Sequence, residues 1–117
     1  MLLVEDELVV RQVLTEMLET QGYTVTSTDD PEEALTLAGD GGPYDLLITD
    51  LVMPKLDGYE LAAAIAARSP KLKVIFISGL STTTIRRELA EDDVAFLQKP
   101  FAIEDLAAKV SEVFEQP

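Results

Sequence analysis

The sequence predicts an α/β fold, a doubly wound sheet of five parallel strands with five helices packed on its two faces. Three observations carry the prediction. Four short apolar runs are continuous rather than alternating, as in strands buried on both faces. Segments of helical period separate them. The 117 residues, 47% of them apolar, suit one packed domain, expected to span 1–117.

The elements follow in chain order. Leu2-Leu3-Val4 is the first strand. It is unusually short: either the chain is trimmed from something longer, or the strand lacks its usual beginning. Val10, Val13, Leu14, Met17 and Leu18 form the apolar face of the first helix, and Gly22 offers a left-handed stop. Tyr23-Thr24-Val25-Thr26-Ser27 alternates and is rich in β-branched residues, the pattern of a half-exposed edge strand. Asp30-Pro31-Glu32-Glu33 opens the second helix with an N-cap, a first-turn proline and an acid. Leu46-Leu47-Ile48 is the third strand. Asp57-Gly58-Tyr59-Glu60 repeats the cap-and-acid spacing ahead of Leu61, Ala64 and Ile65. Val74-Ile75-Phe76-Ile77 and Val94-Ala95-Phe96-Leu97 are the last two strands, and the segment Thr82 to Glu91 between them is the least marked helix. Ile103, Leu106, Ala107, Val110, Val113 and Phe114 give the clearest stripe, that of the final helix. Strands alternating with helices imply right-handed crossovers.

Composition removes several function classes. With 22 acids against 9 bases the net charge is −13, a field that repels nucleic-acid backbones and anionic membranes and attracts divalent cations and basic surfaces. There is no cysteine, hence no disulfide, thiolate nucleophile or Cys-based zinc site, and no histidine, hence no Ser-His-Asp triad. The opening residues reach Glu5-Asp6-Glu7 too soon for a signal peptide. The longest apolar run, Leu61 to Ala67, falls far short of the ~20 residues of a membrane helix. A soluble, cytoplasmic protein is expected.

In an open parallel sheet, ligands bind beyond the carboxyl ends of the strands. The apolar runs end there in Glu5-Asp6, Thr49-Asp50, Ser78-Gly79 and Gln98-Lys99-Pro100, which brings carboxylates, a hydroxyl and an ammonium to one edge. Singly, each has an ordinary reading: Asp6 as a helix cap, Ser78 as a turn hydroxyl, Lys99 as a solvated charge. Jointly they do not. Clustered carboxylates repel, and either a proton or a cation must relieve them. A hard cation such as Mg²⁺, with a lysine and a hydroxyl converging on Asp50, would absorb the charge of a transferring phosphoryl group, and an aspartate can accept that group as an acyl phosphate.

Leu3-Val4-Glu5-Asp6-Glu7, Asp50-Leu51-Val52-Met53-Pro54 with Asp57-Gly58, Ser78-Gly79 and Lys99-Pro100-Phe101 together resemble the signature of response-regulator receiver domains, in order and over nearly the whole chain. The opening acids and the fourth strand are most similar to receivers of hybrid sensor histidine kinases. The resemblance implies a flavodoxin-like sheet of order 2-1-3-4-5 and a phosphoprotein acting in a two-component system or phosphorelay. It implies that Asp50 accepts a phosphoryl group from a phosphohistidine on a histidine kinase or phosphotransfer protein. Asp6, Asp50 and the backbone carbonyl of Val52 would hold Mg²⁺, with Glu5 acting through bound water. Ser78 and Lys99 would contact phosphoryl oxygens, and the Lys99-Pro100 bond would be cis. Ser78 and Phe96 would form a switch that remodels the surface of the fourth helix, fifth strand and fifth helix. On this reading the chain catalyses only its own phosphoryl transfer and dephosphorylation, alone or as part of a hybrid kinase. A weak homodimer is compatible with it.

Departures from the pattern carry expectations too. Phe96 has no hydroxyl, so its switch would be steric. Ala102 stands where a cap belongs, at a cost of about 1 kcal/mol. Val52 and Leu80 flank Asp50 with apolar bulk that orients no water, so the acyl phosphate should be long-lived. Arg86 and Arg87 mark a partner face or a merely solvated one. Three other classes fit less well. A phosphate-ester hydrolase of related fold would want an aspartate at position 52. A binding module with a decayed site need not keep all of Asp6, Asp50, Ser78 and Lys99. A flavin protein would want hydroxyls or glycines in the first loop.

Overall fold

In the computed structural model, residues 1–40, 44–50, 58–68, 72–78, 95–98 and 101–115 are described. Five strands, β1 (Leu2–Val4), β2 (Thr26–Thr28), β3 (Leu46–Asp50), β4 (Lys73–Ser78) and β5 (Ala95–Gln98), form one sheet in the order β2-β1-β3-β4-β5. Every pairing is parallel. The helices are α1 (Leu8–Thr20), α2 (Pro31–Asp40), α3 (Gly58–Arg68) and α4 (Ile103–Glu115). This is the flavodoxin-like α/β arrangement expected. The helix expected over Thr82 to Glu91, the Lys99-Pro100 bond and the arginines at 86 and 87 lie outside the described residues.

Continuous apolar strands are explained by where their side chains go. Alternate residues point to opposite faces. Leu2, Val4, Leu47 and Phe76 pack with Ala34, Leu61, Ala62 and Ile65, so α2 and α3 cover one face. Leu3, Leu46, Ile48, Ile75, Ile77 and Leu97 pack with Leu14, Leu18, Leu106 and Val110, so α1 and α4 cover the other. Every residue of β1 and β3 is buried, on both faces.

The second strand is shorter than its sequence pattern and displaced. The regular ladder opens at Leu2↔Thr26. Met1 extends the contact one step earlier, accepting the Thr26 N–H at 2.9 Å and donating from its nitrogen to Thr24 O at 2.8 Å. Its edge position is as expected.

The helix ends follow the sequence closely. Gly22, at φ +96°, closes α1: its N–H donates to Glu19 O (3.0 Å) and that of Tyr23 to Leu18 O (3.2 Å), the paired bonds of a Schellman turn. Asp30 Oδ1 accepts the Glu32 N–H at 2.9 Å and caps α2. At the start of α4, Ala102 gives no side-chain cap, yet Asp105 Oδ2 accepts the Ala102 N–H at 2.9 Å. That is half of a capping box, so the expected cost of Ala102 is partly offset.

Two apolar faces are narrower than expected. On α1, Leu14, Met17 and Leu18 are buried, whereas Val13 sits at the margin of the stripe and is 46% exposed. On α4, Leu106, Val110 and Val113 are buried, but Ile103 and Phe114 are not. Phe101 packs against the core in place of Ile103. Phe114 pairs instead with Tyr23, ring centroids 5.9 Å apart.

Candidate functional site

Sheet register explains how two distant stretches of sequence meet. Leu3 pairs with Ile48 and Val4 with Thr49, so one further step sets Glu5 beside Asp50. Both continue the side-chain direction of Leu3 and Ile48, toward the α1 and α4 face. Neighbouring strands lie about 4.8 Å apart, which is carboxylate-to-carboxylate distance. One carboxylate oxygen from each of Glu5, Asp6 and Asp50 lies within 4.8 Å of the other two.

The three acids differ in setting. Glu5 is 0% exposed and Asp50 4%, while Asp6 faces solvent. Glu5 is fixed from several sides: its N–H donates to Thr28 O (3.1 Å), its Oε1 accepts the Glu7 N–H (3.1 Å), and its carbonyl accepts Arg11 Nη1 (2.9 Å). Asp50 ends β3, and its carbonyl accepts the Thr49 hydroxyl at 3.0 Å. Asp6 does not cap α1. The residue in the cap position is Glu7, in extended conformation and without a side-chain cap bond. The ordinary reading of Asp6 as a helix cap is thereby removed.

Two buried carboxylates and a third at the rim repel by several kcal/mol at about 4 Å where water is scarce, a repulsion that a cation among them would relieve. The donor set is all oxygen, which suits Mg²⁺ or Ca²⁺ and not the softer metals. An Mg²⁺ ion sits about 2.1 Å from each ligand, so two oxygens on opposite sides of it stand about 4.2 Å apart. Separations of at most 4.8 Å reach that with small side-chain adjustments. These residues fit a hard divalent cation.

The remaining expected site residues are placed less fully. Ser78 is the last residue of β4, opposite Gln98 of β5, and Phe96 lies inside β5 opposite Phe76. These are backbone positions at or near the carboxyl edge. Val52, Leu80 and Lys99 lie outside the described residues. Sequence reasoning passed over Arg11, whose guanidinium reaches back to the turn that carries the acids. Its signal was available: a lone base one helical turn after Glu7, behind three consecutive acids.

Comparison with known proteins agrees with this geometry. The profile of the response regulator receiver domain matches residues 1–111. The sensor kinase CckA of Brucella abortus (strain 2308) is 38% identical over 117 residues, covering 98% of this chain but only 12% of the kinase. The response regulator receiver protein CpdR of the same organism is 36% identical over 113 residues, 96% of this chain and 93% of that protein. Among solved structures, the receiver domain from the hybrid histidine kinase CckA superposes with a TM-score of 0.83 at 38% identity, covering 97% of each chain. The chemotaxis response regulator CheY4 of Vibrio cholerae gives 0.86 at 28% identity, over 96% of this chain and 95% of that one. The chain belongs to the response regulator receiver domain family, the phosphoryl-accepting signalling module of two-component systems. Receiver domains bind Mg²⁺ at an acidic pocket and work with histidine kinases or phosphotransfer proteins.

Proposed function

We propose that residues 1–117 form one receiver unit in which Asp50 takes a phosphoryl group from a partner's phosphohistidine, with Mg²⁺ held by the acids of the β1–α1 turn. The observation that supports this most is the convergence of Glu5, Asp6 and Asp50 within 4.8 Å at the carboxyl edge of a parallel sheet. The given residues include no histidine, so the donor is a separate histidine site.

In this reading Asp50 carries the nucleophilic oxygen. As it attacks phosphorus, the bond from phosphorus to the imidazole nitrogen of the donor breaks, and the nitrogen keeps the electron pair. Mg²⁺, when bound, neutralises the acids and withdraws charge from the phosphoryl oxygens. Asp6 and Asp50 would hold it, together with the Val52 carbonyl. Glu5, buried and accepting the Glu7 N–H through Oε1, would support the ion through a bound water. Ser78 and Lys99 meet the phosphoryl oxygens from the ends of β4 and β5. Phosphorylation then draws Ser78 inward and lets Phe96 turn, remodelling the surface around β5 and α4. The unit works in the cytoplasm as a switch or relay and not as a turnover enzyme. No helix among the described residues is long and apolar enough to cross a membrane.

Incubation with Mg²⁺ and a small acyl phosphate donor should add one phosphoryl mass to the protein, and Asp50→Ala should abolish the addition. Undiminished phosphorylation of that variant would move the acceptor elsewhere.

A further inference from the structure

Arg11 is the fourth residue of α1, and nothing in helix energetics places it there. A cation in the first turn opposes the helix dipole, which favours acids at that end, and the first turn of α1 contains none. Its side chain leans back toward the helix start, as helical side chains do. There Nη1 donates to the carbonyl of Glu5 at 2.9 Å, half-buried. Among the described residues the guanidinium makes no ion pair with a carboxylate. It is spent on backbone.

That carbonyl belongs to the residue at which the chain leaves β1. The Glu5 N–H is tied to Thr28 O of β2, and its side chain accepts the Glu7 N–H. With Arg11 on the carbonyl, the peptide joining Glu5 to Asp6 is held from its oxygen side. This peptide sets where the Asp6 carboxylate leaves the backbone, and Asp6 is the solvent-facing member of the cluster, with the least packing to hold it. We propose that Arg11 is a positioning residue for the divalent cation: its clamp on the Glu5 carbonyl presents Asp6 to the metal, and this outweighs the repulsion between the guanidinium and the incoming ion. The inference rests on the metal reading of Glu5, Asp6 and Asp50 given above.

The two effects of Arg11 have opposite signs, which makes them separable. Removing a positive charge near the site should tighten Mg²⁺ binding; removing the clamp should weaken it. Arg11→Met removes both charge and clamp, whereas Arg11→Lys keeps the charge but not the planar fork that spans to the carbonyl. The test is an NMR titration of the metal-free protein with MgCl2, following the Asp6 and Asp50 amides, with Asp50→Asn as the reference for a disabled site. The spectra also report whether each variant is folded. Partners that orient metal ligands typically change affinity by about 10–100-fold, and a clamp one peptide removed from the ligand belongs at the low end. Arg11→Lys, which loses only the clamp, is expected to bind Mg²⁺ about tenfold more weakly than the parent, and Arg11→Met, which also loses the opposing charge, more weakly than the parent but less so than Arg11→Lys. Tighter binding by Arg11→Met with Arg11→Lys unchanged would show Arg11 to be a charge only, and unchanged binding in both would show it to be neither. Either overturns the proposal. If the parent protein itself shows no Mg²⁺-dependent shifts, the metal reading fails first, and the inference falls with it.

Discussion

The two ends of the sheet are built on opposite principles. At the end where α1 finishes, polar groups are satisfied by backbone geometry and apolar groups by packing. Gly22 turns the chain with two paired hydrogen bonds, Tyr23 meets Phe114, and Lys73 Nζ donates to Val113 O at 2.6 Å, fastening the start of β4 to the end of α4. At the carboxyl end, two acids are buried and a third is held beside them. One end is arranged for stability. The other accepts charge repulsion to keep a reactive constellation, and the fold tolerates it because the opposite end and the two cores are tight.

Substitutions that break the comparison should separate the two ends. The largest effect on folding is expected in the core beneath the stable end. Leu18 is fully buried between α1 and the sheet, and Leu18→Ala should cost about 2–5 kcal/mol in urea denaturation, with phosphorylation of the folded fraction retained. Gly22→Ala should cost about 1–2 kcal/mol in the same assay. An added Cβ there meets no atom within 4 Å, so the penalty is one of backbone conformation alone. A loss well beyond that range would mean that the α1 stop also carries packing. The smallest change should have the opposite sign. In the absence of divalent cations, Asp50→Asn should raise stability by about 1 kcal/mol, because it removes one of three mutually repelling charges. A metal-free Asp50→Asn protein less stable than the parent would show the buried carboxylate to be a net contributor to the fold.

The legibility of the sequence follows the same division. Strands β1, β3, β4 and β5 were readable because burial on both faces leaves continuous apolar runs, and this signal survives without any knowledge of neighbours. Asp50 and the Glu5-Asp6 pair were readable because polar residues at the ends of such runs fall at the carboxyl edge. The order of pairing, 2-1-3-4-5, came from the receiver resemblance and is the order observed, whereas the margins of the packed faces were not readable. Val13 and Ile103 fit an apolar period, yet their exposure depends on how far the sheet and Phe101 extend beneath them. Arg11 was missed for a related reason: one base in a helix has no periodic signature, and its meaning lies in a hydrogen bond to a backbone oxygen six residues earlier.

The most direct measurement is the position of a bound divalent cation. Crystals grown with Mn²⁺, which scatters anomalously and shares the oxygen preference of Mg²⁺, should show one ion at the carboxyl edge of the sheet, contacting the carboxylates of Asp6 and Asp50, with Glu5 one water away. An ion found elsewhere, or Asp6 and Asp50 turned apart around an empty space at saturating Mn²⁺, would contradict the account.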